Sequence, residues 1–292
     1  MKIPKRIEAL IEEGLVDAVI CQLISGKEAM VYVVRCGANL RCAKVYKETN
    51  QRSFHQSSEY TEGRRIRNSR RARAMEKGSR YGRKAQEDAW QSAEVDALYR
   101  LAATGVRVPQ PYNFFEGVLL MELITDSTGA VAPKLHDLVL TAEQAREYHR
   151  SLMQQVVQML CVGVIHGDLS QYNVLVGSEG LVIIDLPQAV NAAGNNNARS
   201  MLKRDVDNLT AYFSRFAPEL RHTDYGSEIW SLYQRGRLYP ETELTGRFEY
   251  SEKPADVGSV MRAVHIVLKR EAAWQRHRQQ MRLVQKSEGE AA

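Results

Sequence analysis

Two short apolar runs, preceded by a polar loop, constrain this chain more than any other feature. The stretch "HGDLSQYNVLV" spans residues 166–176, and "LVIID" closes at residue 185. Strand-formers on either side of "GSEG" predict a tight hairpin, because Gly and Ser supply the reversal. Such a hairpin places Asn173, at its entry, beside Asp185, at its exit. Two oxygen-donor side chains meeting at one point suit Mg²⁺, which prefers oxygen ligands and shares its site with substrate phosphates. Asp168 lies on the loop nearby, free to accept a proton from an incoming hydroxyl. One carboxylate for the nucleophile, and an Asn with a second Asp for metal, is the division of labour phosphoryl transfer requires.

Such a site also needs a cation on the nucleotide. Lys44, in "RCAKVYK", is flanked by apolar residues on an expected strand and is read as pointing inward. A buried ammonium needs an opposite charge or it loses its proton. Glu94, on an expected helix after a basic segment, is the candidate partner. Upstream, "SGKEAMVY" is a polar break in which Ser25, Gly26 and Lys27 offer backbone N–H groups, a hydroxyl and a cation to phosphates. It is neither a GxGxxG nor a Walker A sequence.

The elements around these motifs fall into two groups. Residues 3–13 read as a short helix, with Ile3, Ile7, Leu10 and Ile11 on one face. Strands follow at 15–24, "VYVVRC", "RCAKVYK" and the hairpin "YNFFEGVLLMELI", interrupted by a polar stretch at 49–88 without period and a helix from about Ala89. After residue 124 helices dominate: one over 141–163 opened by the capping box "TAEQ", one after "NNN" at 195–197, and one near the C-terminus. Strands first and helices after predict an α+β fold of two lobes with a cleft between them. The expected divisions are an N-terminal lobe over 1–122 with a flexible basic insertion at about 50–88, a catalytic lobe over 123–255, and a helix and tail over 256–292.

Charge is spread unevenly. The chain carries +5, but residues 64–84 hold ten Lys or Arg against Glu76 alone. The rest is therefore slightly acidic, and the basicity is a local device. It reads as a mobile segment that contacts phosphate, either RNA or the nucleotide. No apolar run approaches the roughly 20 residues a membrane helix needs, and "MKIPKRIEALIEEGL" is no secretory signal. Cys36 and Cys42 could face each other across a hairpin, but without a CxxC pair the four cysteines read as reduced thiols of a cytoplasmic protein.

These motifs together resemble the protein-kinase superfamily. Asp168 to Asn173 matches D-x-x-x-x-N, Lys44 the strand lysine, and Asp185 the metal-binding Asp. The departures are informative. "HGD" replaces HRD and "DLP" replaces DFG, and "DLPQ" leaves little room for an activation loop before the next helix. The "APE" at 217–219 follows that helix and reads as chance. With "SGKEAMVY", "AKVYK", the basic insertion, "HGDLSQYNVLV" and "IIDLPQAV", residues 20–215 look like the RIO kinase family, in a form without the N-terminal winged helix. Aminoglycoside and choline phosphotransferases also use HGD, but Ser170 and Gln188 fit RIO better.

The resemblance implies a two-lobed kinase fold with a reduced activation segment. It implies ATP with Mg²⁺ or Mn²⁺ as cofactors, Asp168 as catalytic Asp, Asn173 and Asp185 on metal, and Lys44 paired with Glu94. Ser25, Gly26, Lys27 and Glu28 would lie at the phosphates, and "MELI" (Met121, Glu122, Leu123 and Ile124) would contact adenine. It further implies phosphorylation of serine on a protein substrate, autophosphorylation included, and ATP hydrolysis with Asp185 as a transient phosphate acceptor. Relatives act in small-subunit ribosome maturation, so an ATPase switch on RNA or a ribosomal particle through residues 64–84 is the alternative expectation. A small-molecule phosphotransferase is the third.

Overall fold

The computed structural model describes residues 4–26, 28–47 and 80–248. Helix α1 (Lys5–Glu12) is followed by three antiparallel strands, β1 (Ala18–Ser25), β2 (Ala29–Cys36) and β3 (Asn39–Tyr46). Helix α2 (Arg80–Ala102) leads into the hairpin β4 (Pro111–Phe115) and β5 (Val118–Glu122). The five strands form one sheet in the order β1-β2-β3-β5-β4. The basic stretch was expected to lack period to residue 88, yet α2 begins at Arg80; charged residues are compatible with a helix that has apolar positions further along to anchor it. The rest of that segment, Lys27, and the expected C-terminal helix lie outside the described residues.

Strand alternation decides what each face of this sheet does. Ala43 and Val45 of β3, with Val118 and Leu120 of β5, pack under Ile7 and Leu10 of α1, both fully buried. The intervening residues, Cys42, Lys44, Leu119 and Met121, look the other way. Lys44 therefore points into the molecule because its two neighbours are held by α1. The hairpin register pairs Cys36 with Asn39 and Cys42 with Val33, so the two cysteines do not face each other, and all four are free. A two-residue turn at 37–38 shifts the strands out of the register that facing cysteines need.

The second half is mainly helical. Helix α3 (Ala142–Cys161) opens with the anticipated capping box: Gln144 N–H donates to Thr141 Oγ1 at 3.2 Å, and Thr141 N–H to Gln144 Oε1 at 3.0 Å. Strand β6 (Val164–Ile165) leads to the polar loop, then β7 (Val174–Gly177) and β8 (Gly180–Ile183) form the expected hairpin, with Val174 opposite Ile183. Strand β9 (Val190–Asn191) returns to β6. Helices α4 (Ala198–Phe213) and α5 (Tyr225–Gln234) complete the lobe, separated by a 3₁₀ turn over Pro218–His222 that contains the "APE" proline. A continuous apolar core runs from Leu119 and Leu98 through Leu152 and Ile165 to Phe213. The architecture is the two-lobed kinase-like α+β fold, a β-rich lobe and a helical one. Among the described residues no helix is long and apolar enough to cross a membrane.

Candidate active site

A cavity of about 650 Å³ lies between the sheet and the helical lobe. Its sheet wall is built on β3. Lys44 Nζ lies 2.5 Å from Glu94 Oε1 and 2.8 Å from Asp185 Oδ1. Tyr46 Oη donates to the second Glu94 oxygen at 2.7 Å. Lys44 and Glu94 are both buried. Burial alone would push the Lys44 ammonium down; the Asp185 and Glu94 carboxylates outweigh it and hold it well above its ordinary range. Asp185 is drawn down chiefly by Lys44, against the opposite pull of its partial desolvation. This Lys therefore stays charged where a lone buried one would not.

The opposite wall comes from the polar loop. His166 is buried with Nε2 3.1 Å from the Ile184 carbonyl, and its Nδ1 accepts Asp168 N–H at 3.3 Å. The imidazole thus carries its proton on Nε2 and joins the loop to the residue before Asp185. Gly167 N–H and Leu169 N–H both donate to the Asp205 carboxylate, at 2.7 and 3.0 Å. Asp205 is 2% exposed, and burial pushes it up to about 6 although both N–H groups favour the anion. The conformation explains "HGD". Gly167 has φ +86°, and a Cβ there would meet the Gln188 carbonyl at 2.6 Å. A side chain such as Arg at this position would meet both the left-handed backbone and the Gln188 carbonyl.

With the loop so pinned, the Asp168 carboxylate is left without a hydrogen bond among the described residues, and burial raises it above the usual Asp range. Asn173 donates its amide to the Asp168 carbonyl at 2.8 Å, which turns Oδ1 the other way. Ile184 N–H donates to the Asn173 carbonyl at 3.0 Å, so Asn173 and Asp185 are neighbours across the hairpin mouth. Asp185 takes φ +67°, a left-handed turn that lifts its side chain off the strand, where it is 48% exposed. Asp168, Asn173 and Asp185 all line the cavity.

The remaining expected residues separate. Gly26 and Glu28 line the cavity; Ser25 ends β1 and does not. The Gly26 N–H is already engaged with the Ala29 carbonyl at 2.9 Å, and its own carbonyl accepts from Lys47 Nζ at 2.6 Å. Met121 to Ile124 line the cavity. The Glu122 carboxylate is turned aside to a two-pronged pair with Arg107, at 2.7 and 2.8 Å. Glu122 N–H and the Ile124 carbonyl are engaged with Gln110 and Ala132, whereas Leu123 N–H and C=O make no hydrogen bond among the described residues. Sequence reading did not single out His166, Asp205, Arg107 or Lys134, a further lysine in the lining. Only the adjacency of His166 to Asp168 was a signal. Asp205, Arg107 and Lys134 reach the site through folding from segments with no local marker.

The RIO domain family matches residues 30–225. The chain belongs to the RIO family of serine/threonine protein kinases. It is 33% identical over 214 residues to the RIO-type serine/threonine-protein kinase Rio1 of Haloferax volcanii, covering 72% of this chain and 68% of that one. It is 28% identical to the serine/threonine-protein kinase RIO1 of Chaetomium thermophilum, over 70% of this chain but 41% of that one. The Methanocaldococcus jannaschii Rio1 kinase is 29% identical over 68% of this chain and 64% of its own length. The chain thus spans about two thirds of the archaeal relatives and well under half of the fungal one.

Proposed function

We propose that this chain binds ATP with a divalent cation, Mg²⁺ or Mn²⁺, and transfers the γ-phosphoryl group to a serine hydroxyl of a protein, its own serines included. The observation that carries this reading is Lys44, held between Glu94 and Asp185 across a cavity that also presents an unpaired Asp168. Adenine would lie against Met121 with its edge toward the open N–H and C=O of Leu123. Phosphates would extend along Gly26 and Glu28 toward Lys44.

The donor set fits a hard cation that retains water and phosphate ligands. Asn173 and Asp185 both line the cavity, and Asn173 Oδ1 and the second Asp185 oxygen are oxygen donors without a hydrogen bond among the described residues. Among the described residues no group of three or more His, Cys, Asp or Glu is placed to hold a metal ion by itself, so a cation here would keep ligands from phosphate and water. Bound there, the cation would offset phosphate charge. The protein's own groups do the rest. Asp168 accepts the hydroxyl proton while Lys44 fixes the phosphate chain, and His166 and Asp205 hold Asp168 in place through the backbone. Transfer breaks the bond from the γ-phosphorus to the bridging oxygen and makes one to the serine oxygen.

A second reading, an ATPase switch directed at RNA or a ribosomal particle, is supported by the charge of residues 64–84, which run into the helix that carries Glu94. One experiment separates the two. With γ-labelled ATP, the full chain should label serine, and Asp168→Ala should reduce labelling by about 10²–10⁴-fold. Unchanged labelling would remove Asp168 from the role. Free phosphate without serine label, still dependent on Asp168, would favour the switch.

A further inference from the structure

Two lysines line the cavity among the described residues, and they are opposites. Lys44 is saturated by Glu94 and Asp185. Lys134 is half-buried, yet its ammonium makes no hydrogen bond or ion pair with any described residue. Its backbone is anything but loose. Lys134 forms an antiparallel bridge with Leu175 of β7, two residues beyond Asn173. Asp137 N–H donates to its carbonyl at 3.0 Å, and Val176 N–H to the Pro133 carbonyl at 2.9 Å. Leu135 next to it is fully buried, and Tyr212 Oη on α4 donates to its carbonyl at 2.7 Å. A lysine on so fixed a base lines the cavity and, although the Asp185 carboxylate feels its charge, makes no direct contact that neutralises it among the described residues.

The chemistry of the cavity says which anion. Asp137, Asp168 and Asp185 line it too, so an acidic ligand group needs a cation not already neutralised. The loop from His166 to Asn173 contains no Lys or Arg; Ser170 stands two residues after Asp168. Charge on a transferring phosphoryl group is stabilised mostly by placed cations and donors.

We propose that Lys134 binds the terminal phosphates of the nucleotide and stabilises the γ-phosphoryl group during transfer, the cationic role for which the catalytic loop has no residue. This rests on the ATP-binding reading above. The hydroxyl proton goes to Asp168, and ADP leaves with the bridging oxygen.

The test compares adenosine, AMP, ADP and ATP binding to the full chain by calorimetry, for wild type, Lys134→Met, Lys134→Gln and Lys134→Arg. Lys134→Met and Lys134→Gln should weaken ATP by about 10–100-fold, the scale of a charge-assisted contact, with adenosine within about twofold. Lys134→Arg should recover most of the loss, and kcat should follow the same order. An equal loss for adenosine and ATP, or none for either, would overturn the proposal. So would a defect confined to KM for the protein substrate, which would mean that Lys134 reads an acidic peptide instead. If wild type binds ATP with this pattern but transfers no phosphate, the kinase reading fails and the Lys134 contact stands. If wild type binds no nucleotide, both fail. Melting curves report whether each variant is folded, and the ratio of ATP to adenosine affinity is independent of a uniform loss of folded protein.

Discussion

The two walls of the cavity solve opposite problems. On the sheet wall the charged groups satisfy one another: Lys44 with Glu94, Glu94 with Tyr46, Arg107 with Glu122. On the helical wall the backbone is what is satisfied, through His166 and Asp205, and the Asp168 carboxylate, Asn173 Oδ1 and the Lys134 ammonium make no hydrogen bond among the described residues. The Lys44–Asp185 contact crosses between them, and Arg107 reaches across as well, to Glu179 at 3.7 Å and through its carbonyl to Ile183 N–H at 2.9 Å. The difference teaches where folding energy and binding capacity reside. A closed side-chain network stabilises the fold and holds one charge ready. A pinned backbone with open side chains leaves valences for ligand, at a cost the rest of the lobe must cover.

The sharpest way to break this comparison is to remove one residue from each wall. Asp168→Asn should abolish most transfer yet leave the melting temperature unchanged or raised, since it deletes a carboxylate that burial already disfavours. Lys44→Met should lose activity by about 10²–10³-fold and also cost roughly 3–5 kcal/mol of stability, because Glu94 is left buried without its cation. Denaturant titration beside the labelling assay checks both. Equal stability losses in the two variants would mean the walls do not differ as described.

Gly167→Ala probes the backbone that holds the helical wall. The left-handed φ and the 2.6 Å approach to the Gln188 carbonyl should cost roughly 3 kcal/mol. Activity should fall with it, as Asp168 moves with its loop. A fully active, equally stable variant would show that the loop relaxes freely.

The smallest effect tests the packing behind that wall. His149 on α3 is buried against Phe213 and Tyr225, with Nε2 3.0 Å from Thr210 Oγ1. Burial pushes it down to about 4 from the usual 6.5. Between those values the unfolded chain holds the extra proton, so stability falls as pH drops. His149 by itself should contribute a loss of about 2 kcal/mol by pH 5, opposed by Asp205, whose raised carboxyl favours the fold as pH falls, and His149→Gln should remove the His149 part alone. Profiles for wild type and His149→Gln that run parallel from pH 7 to 5 would contradict it.

Much of this was legible before folding. Residue type and spacing located the β7–β8 hairpin, the capping box of α3 and the sheet hairpins, because these depend on neighbours a few residues away. The alternation in "RCAKVYK" and the apolar runs around Asn173 named the residues that the cavity gathers. The start of α2 was missed, since Arg80 to Lys84 carry charge rather than an apolar stripe. The Cys36–Cys42 facing failed on a turn two residues long.

The sequence by itself determined that this chain builds a β-rich lobe and a helical lobe, and it marked Lys44, Asp168, Asn173 and Asp185 as the polar residues set among apolar runs, because local periodicity and residue chemistry suffice for that. Only the tertiary structure decided which charges are engaged and which are open. Glu94 meets Lys44 across 50 positions and Asp185 meets it across 141. Asp205 grips the loop from 38 positions away. Lys134 forms no hydrogen bond or ion pair among the described residues, although Asp185, distant in sequence, feels its charge. Pairing of charges depends on distance and burial, and neither quantity exists until the chain has closed on itself.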